Sequence, residues 1–462
     1  MPGRTARRCG RSIGLNRCWR MSRVSMIWCV QQGRRMDNLA RDICDARDAA
    51  VAESVDAFEQ CAGSQRAPRH YLFLQGLPGP FFRRLGEALR ADGARVSRIN
   101  FNGGDMLDWP GRDAFAYRGT PADWPAWLDR FVRDRGVTDI IVFGDLRPVH
   151  RAARVLADRR GLRFVTFEEG YLRPNHVTLE RGGVNGHSSF PRGLHALRLI
   201  AARAGDLADE VPVANSFRRR ASQAAFYYAA TQAAAPFFAH YRTHRYASPL
   251  REGVAWLRRY VRRRRERRAS QAAVAGMAGR RFFLFPLQLE GDAQIRVHSR
   301  FDTMRDAVVE VLAAFRDAPE DVALLVKQHP LDPDVDNWRG FVTDRAAQLG
   351  LADRVVFIER FDLTPLLKVA HGVVTVNSSV GPLALAAGVP VKTLGTAIYD
   401  VPGITADVPL NRFWHAPPPV DAEAFDIFCR ALRAKCLVNG GFHGTEALDL
   451  LVRNAVTRLR DR

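Results

Sequence analysis

Two carboxylates side by side, Glu168 and Glu169, close the apolar, β-rich run 164–167, and Gly170 follows at once. A single acid there would be read as a helix cap or half of a surface ion pair. An adjacent pair directly after a buried strand favours chemistry. Alternation sends one carboxyl toward a cleft and its neighbour into the scaffold. A carboxyl packed among apolar groups has a raised pKa and can hold or accept a proton near neutrality. Downstream, Arg173, Asn175 and His176 open a Gly-rich polar stretch, read as a long loop that closes over a substrate.

A second group of polar residues lies more than a hundred positions later, again after apolar runs. Gln288, Asp292, Gln294, Arg296 and His298 occupy 286–301, with Ser299 placed to cap the next helix. Lys327, His329 and Pro330 end the strongly apolar run 322–326; a rigid imidazole donor near a lysine suits a phosphate. Asn377, Ser378 and Ser379 stand before a helical pattern, and capping alone needs only one serine; two hydroxyls plus free backbone N–H groups make a phosphate cradle. Weaker candidates for substrate contact are Gln75 and Gly76 in 75–80, Asn102 in 100–105 and Asp145 in 143–148. For these an ordinary turn or helix cap is the alternative, and for 100–105 the plain turn is favoured. No GxSxG, HExxH, Walker A or Cys/His metal pattern accompanies these residues, so no metal or cofactor is expected.

The elements that must position these groups alternate regularly. Strand patterns at 71–76, 94–101, 137–145 and 162–167 are separated by amphipathic helical patterns at 80–93, 124–136 and 148–161. After a helical, Arg- and aromatic-rich break the alternation resumes, with strands at 280–288, 322–330, 354–359, 372–379 and 389–395. Short βα connections of this kind predict parallel sheets covered on both faces. The expected architecture is α/β: two Rossmann-like, doubly wound domains facing a cleft (GT-B-like), with the ligand beyond the strand ends. The divisions are a basic, partly disordered tail over 1–69, an N-terminal acceptor domain over 70–200 and a basic helical insert over 201–275. A Rossmann-like domain over 276–400, which the resemblance given below makes the CMP-sugar-binding domain, and a helical segment over 401–462 follow; the layout is equally that of several other two-domain enzymes. Met36 is an alternative start.

Lys and Arg number 69 against 49 acids, a net charge of +20. Such a field favours anionic partners: nucleic acid, phospholipid surfaces or phosphorylated substrates. The apolar strands lack the basic and stacking faces of a nucleic-acid binder, so no nucleic acid is expected. Seven cysteines with no CxxC spacing indicate neither a disulfide framework nor a zinc site and fit a reducing cytoplasm. No apolar run is long enough to span a bilayer.

The ordered set Glu168-Glu169-Gly170, His329-Pro330 and Ser378-Ser379 resembles bacterial CMP-sugar glycosyltransferases, the sialyltransferases and Kdo transferases. With "QLEGDAQIRVHSRF", "KQHPLD" and "NSSVGPLALAAGVPVKTLG" it resembles, over about 70–400, the capsule polysaccharide synthesis family of β-Kdo transferases. One copy of each motif matches the single-module member. The resemblance implies transfer of Kdo from CMP-β-Kdo to phosphatidylglycerol or its lyso form with retention, starting a poly-Kdo linker. It implies CMP at Lys327, His329, Pro330, Asn377, Ser378 and Ser379, one acid of the 168–169 pair as acid/base, and Asp292 as nucleophile. Gln75, Gly76, Asn102, Asp145, Arg173, Gln288, Gln294 and Arg296 are the expected further substrate contacts. A CMP-sialyltransferase-like or other nucleotide-sugar transferase and a non-catalytic export scaffold remain the alternatives. With a phospholipid acceptor implied, Trp256, Arg258, Arg259, Arg262 and Arg263 are expected to face lipid headgroups. The chain would then lie peripherally on the inner face of the inner membrane, within reach of a capsule assembly or export complex.

Overall fold

The computed structural model describes residues 69–243 and 249–460, so positions 1–68 of the expected tail lie outside the described residues. The first lobe holds β1 (His70–Phe73), β2 (Arg95–Asn100), β3 (Ala114–Ala116), β4 (Asp139–Phe143), β5 (Arg163–Glu169) and β6 (His176–Arg181). The second holds β7 (Phe282–Pro286), β8 (Ala323–Lys327), β9 (Val355–Ile358), β10 (Gly372–Thr375) and β11 (Val391–Thr393). A last strand, β12 (Leu437–Asn439), returns to the first sheet. The sheet orders are β12-β6-β5-β4-β1-β2-β3 and β11-β10-β7-β8-β9. Each lobe therefore reverses direction beside its first strand, between β1 and β4 and between β7 and β10. That reversal opens a crevice beyond the carboxyl ends. The doubly wound α/β architecture expected from the alternation is the one observed.

Three departures bear on the site. First, β5 runs through Glu168 and Glu169, so both acids belong to the strand end and not to a turn after it. Second, the stretch read as one polar loop contains β6, antiparallel to β5, with Glu168 opposite Thr178 and Glu169 opposite Val177. Gly170 lets the chain double back: a Cβ there would lie 2.0 Å from the carbonyl oxygen of His176. Third, the C-terminal segment is not only helical. β12 pairs antiparallel with β6, and the helix Thr445–Arg460 shares a core with the helix Phe81–Ala91. Phe81 meets Phe167 at 5.1 Å and Phe442 at 5.0 Å, so the chain's end buttresses the last buried residue before the acids.

One apolar cluster joins the two lobes: Tyr171, Phe190 and Leu197 pack with Leu284, Leu325, Val373 and Phe428. Beside the cleft the lobes approach closely at Gly186, where a Cβ would lie 2.3 Å from His298 Nδ1. The expected cap at Ser299 is not made; its hydroxyl donates to Ile295 O, and Thr303 caps the helix Met304–Phe315 through a capping box.

Candidate active site

A cleft between the lobes is lined from the first by Glu168, Glu169, Gly170, Tyr171, Arg173 and Asn185. Facing these from the second are Gln288, Asp292, Gln294, His329 and the run Asn377–Ser379. Ten side chains singled out in the sequence are thus brought to one place from strand ends more than two hundred residues apart.

On the first wall, Phe167 is buried and anchors β5, so its two acids project at the rim. Glu168 accepts a hydrogen bond from the Glu169 N–H at 3.0 Å. Burial pushes its carboxyl up to about 7, helped by the charge of Glu169 and opposed by that backbone bond. Glu169 is paired with Arg220 at 3.2 Å, on the helix Phe217–Ala233. The two acids therefore differ in kind: one holds its proton near neutrality, the other neutralises a cation. Arg173 donates to Gly170 O at 3.1 Å and carries positive charge toward Glu168, Asp292 and His329.

On the second wall, Asp292 caps the short helix Ala293–His298, accepting from Gln294 N at 2.9 Å. Burial raises its pKa, against the bonds from Gln294 and Gln288. Gln288 and Asn377 clasp each other across β7 and β10: the Gln288 amide donates to Asn377 Oδ1 at 2.8 Å, and Asn377 N–H donates back at 3.1 Å. Asn377 also donates to Gln294 O at 3.0 Å. His329 Nδ1 accepts from Leu331 N at 3.1 Å, which leaves the proton on Nε2. Burial, then the charges of Lys327 and Arg173, lower its pKa to about 4, so at neutral pH it is an uncharged N–H donor. Ser378 Oγ accepts from Val380 N at 3.2 Å, while Ser379 makes no side-chain cap bond. One serine caps and the other hydroxyl is left for a ligand. Tyr399 donates to Ser378 O at 2.6 Å and seats its ring against Gly381, where a Cβ would lie 2.4 Å away.

Several expected contacts do not reach this cleft. Gln75 and Asn102 are buried in a network in which the Gln75 amide donates to the hydroxyls of Tyr227 (3.1 Å) and Tyr241 (3.2 Å). Asn102 donates to Tyr227 at 3.0 Å and caps the helix Gly103–Asp108. Gly76 packs on Phe82, and its carbonyl accepts from Arg147. The crevice beside β1 is thus filled by aromatics of the insert, which shifts the first lobe's open strand end to β5. Asp145 does not cap the next helix; it is buried and accepts from His187 at 2.8 Å and Arg154 at 3.4 Å. Arg296 and Pro330 are exposed outside the lining, and Lys327 is buried behind His329. Arg259 is not lipid-facing: it is 1% exposed and lies against the His329–Pro330 turn. Arg262 is turned toward Asp334 at 3.2 Å. Sequence reasoning missed Tyr171, Asn185, Pro382 and 396–399 in the lining. The aromatic and apolar ones read as core, and only Gly381, which admits the Tyr399 ring, was a signal.

A family model described as capsule polysaccharide biosynthesis protein matches residues 138–443, which contain every side chain named in the cleft. The chain belongs to that family. It is 34% identical over 379 residues to the capsule polysaccharide export protein KpsS of Escherichia coli, covering 81% of this chain and 97% of that one. It is 32% identical over 384 residues to the capsule polysaccharide modification protein LipB of Neisseria meningitidis serogroup B, covering 80% and 91%. Among solved structures, the Thermosulfurimonas dismutans KpsC, beta Kdo 2,7 transferase, aligns over 83% of this chain and 99% of its own, with 14% identity and a TM-score of 0.40. Among the described residues no helix is long and apolar enough to cross a membrane, and no three His, Cys, Asp or Glu side chains are grouped to hold a metal ion.

Proposed function

We propose that the chain is a retaining glycosyltransferase that moves Kdo from CMP-β-Kdo to a phosphatidylglycerol or lysophosphatidylglycerol hydroxyl, the first step of a poly-Kdo capsule linker. The observation that carries this is the meeting, in one cleft, of Glu168 from the first lobe with Asp292 and the uncharged donors His329 and Ser379 from the second. Retention uses two carboxylates, one as nucleophile and one as proton shuttle. The Asp292 carboxylate attacks the anomeric carbon as the bond to the CMP oxygen breaks, and CMP leaves with the electron pair. The acceptor hydroxyl then gives its proton to ionised Glu168 as its oxygen attacks the same carbon and displaces Asp292. CMP is an anionic leaving group that needs hydrogen-bond donors more than protonation. His329 and the Ser378–Ser379 turn supply them, with the charge of Lys327 behind.

The acceptor would come from a membrane surface. In the helix Pro249–Ala275, Val254, Leu257 and Val261 are exposed, and Arg258, Arg264, Arg265 and Arg268 share that outward side. An apolar strip flanked by arginines suits an anionic bilayer interface. Work at the inner face of the inner membrane, beside a capsule assembly or export complex, fits this placement. The test is a transfer assay with CMP-Kdo and a fluorescent phosphatidylglycerol, product read by mass spectrometry, with CMP-sialic acid as a parallel donor and EDTA in one arm. Kdo transfer that survives EDTA is expected. Transfer only from CMP-sialic acid would favour a sialyltransferase-like enzyme, and no transfer from either donor would favour a non-catalytic scaffold.

A further inference from the structure

The 27-residue helix Pro249–Ala275 carries the arginines expected to face lipid headgroups, with Glu266 its only acid after Gly253. The structure divides it. Ala255, Arg259, Glu266 and Ser270 are buried, at spacings of four, seven and four residues, and form one stripe against the second lobe. Ser270 Oγ accepts from the N–H groups of Glu359 and Arg360, each at 3.2 Å. Glu266 accepts from Arg360 Nε at 2.9 Å. These contacts grip the loop after β9. Arg259 alone on this stripe reaches the loop after β8, donating to Pro330 O at 3.2 Å and His329 O at 3.4 Å.

We propose that Arg259 is a positioning residue for the nucleotide: by holding the two main-chain carbonyls of the His329–Pro330 turn, it aims the His329 imidazole into the cleft. This rests on the functional reading above, in which His329 meets the CMP phosphate. The geometry is economical. Both carbonyls are drawn back toward the helix, while the ring on the same residue faces the cleft with its Nδ1 already engaged by Leu331. The acids Glu266, Asp332 and Asp334 offset only part of the cost of burying the Arg259 cation. Its guanidinium is buried, its Nε has no hydrogen-bond partner, and a buried cation is costly where an apolar side chain would pack without penalty. What an apolar side chain cannot do is satisfy and orient two carbonyls at once, a task suited to the planar guanidinium fork. Arg259 also lies beside buried Lys327, whose pKa burial and the Arg259 charge both lower, so positive potential gathers behind the phosphate site.

The test is isothermal titration of CMP into the full chain, for wild type, Arg259→Met, Arg259→Lys and Ser270→Ala, with thermal midpoints and transfer kinetics for each. Ser270→Ala loosens the same helix without touching the His329 turn. For Arg259→Met, CMP affinity is expected to fall about tenfold, the size of one hydrogen bond to a charged group. Its donor KM should rise, and kcat should fall far less than in Glu168→Gln, since the carboxylates are untouched. Arg259→Lys, which keeps the charge but reaches one carbonyl, should recover part of the affinity. Ser270→Ala should lower the thermal midpoint and leave CMP affinity unchanged. Arg259→Met binding CMP as wild type does, or Ser270→Ala losing affinity in step with it, would overturn the positioning role. A wild type that bound no CMP would refute the functional reading and this role with it.

Discussion

Replacing Glu168 with glutamine should make the protein more stable and less active, and the stability gain should grow with pH. In the folded chain the Glu168 carboxyl is pushed up to about 7 from its ordinary 4.5, chiefly by burial. The fold therefore binds this proton more tightly than the unfolded chain does. Below the unfolded value the carboxyl is neutral in both states and costs nothing. Between about 4.5 and 7 the unfolded chain releases the proton first, so stability falls as pH rises, and above 7 the full penalty applies. The displacement corresponds to an upper bound of about 3–4 kcal/mol, and water in the cleft reduces what is realised. Glutamine keeps the shape and carries no charge. Thermal unfolding of wild type and Glu168→Gln at pH 5.5 and pH 8 should show the variant's advantage widening at pH 8. A midpoint shift of a few degrees is expected there. Transfer should fall by about a hundredfold or more, the range for a lost general base. An advantage of equal size at both pH values, or a wild type that gains on the variant at pH 8, would refute the argument that burial holds this proton.

The two serines should separate. Ser378→Ala loses a bond to Val380 N–H and should cost about 1 kcal/mol of stability as well as donor affinity, whereas Ser379→Ala should weaken CMP binding at unchanged thermal midpoint. Gly170→Ala should lower the midpoint by several degrees, because a methyl there meets His176 O in the β5–β6 reversal. Leu257→Asp with Val261→Asp should abolish co-sedimentation with phosphatidylglycerol vesicles while leaving CMP binding by calorimetry intact, because both side chains point outward.

The alternation of apolar strands and amphipathic helices made both lobes legible from sequence, and the paired acids, the His-Pro turn and the double serine marked strand ends that do converge. What stayed hidden depends on distant partners. β12 joins β6 across more than two hundred residues, and a three-residue strand has too short a period to announce itself. Gln75 and Asn102 sit where a doubly wound fold keeps its ligand, and nothing local indicated that Tyr227 and Tyr241 fill that place. In the basic helix every arginine looks alike in composition. The stripe of Ala255, Arg259, Glu266 and Ser270 was present in the spacing, but the charges around it masked it.

The central claim is that Glu168 of the first lobe acts on a sugar nucleotide held by the second. The most direct measurement pairs CMP binding with Kdo transfer to phosphatidylglycerol, for wild type, Glu168→Gln and His329→Ala. If the claim holds, Glu168→Gln keeps wild-type CMP affinity and loses transfer, while His329→Ala loses CMP affinity. Undiminished transfer by Glu168→Gln, or unchanged CMP affinity in His329→Ala, would contradict it.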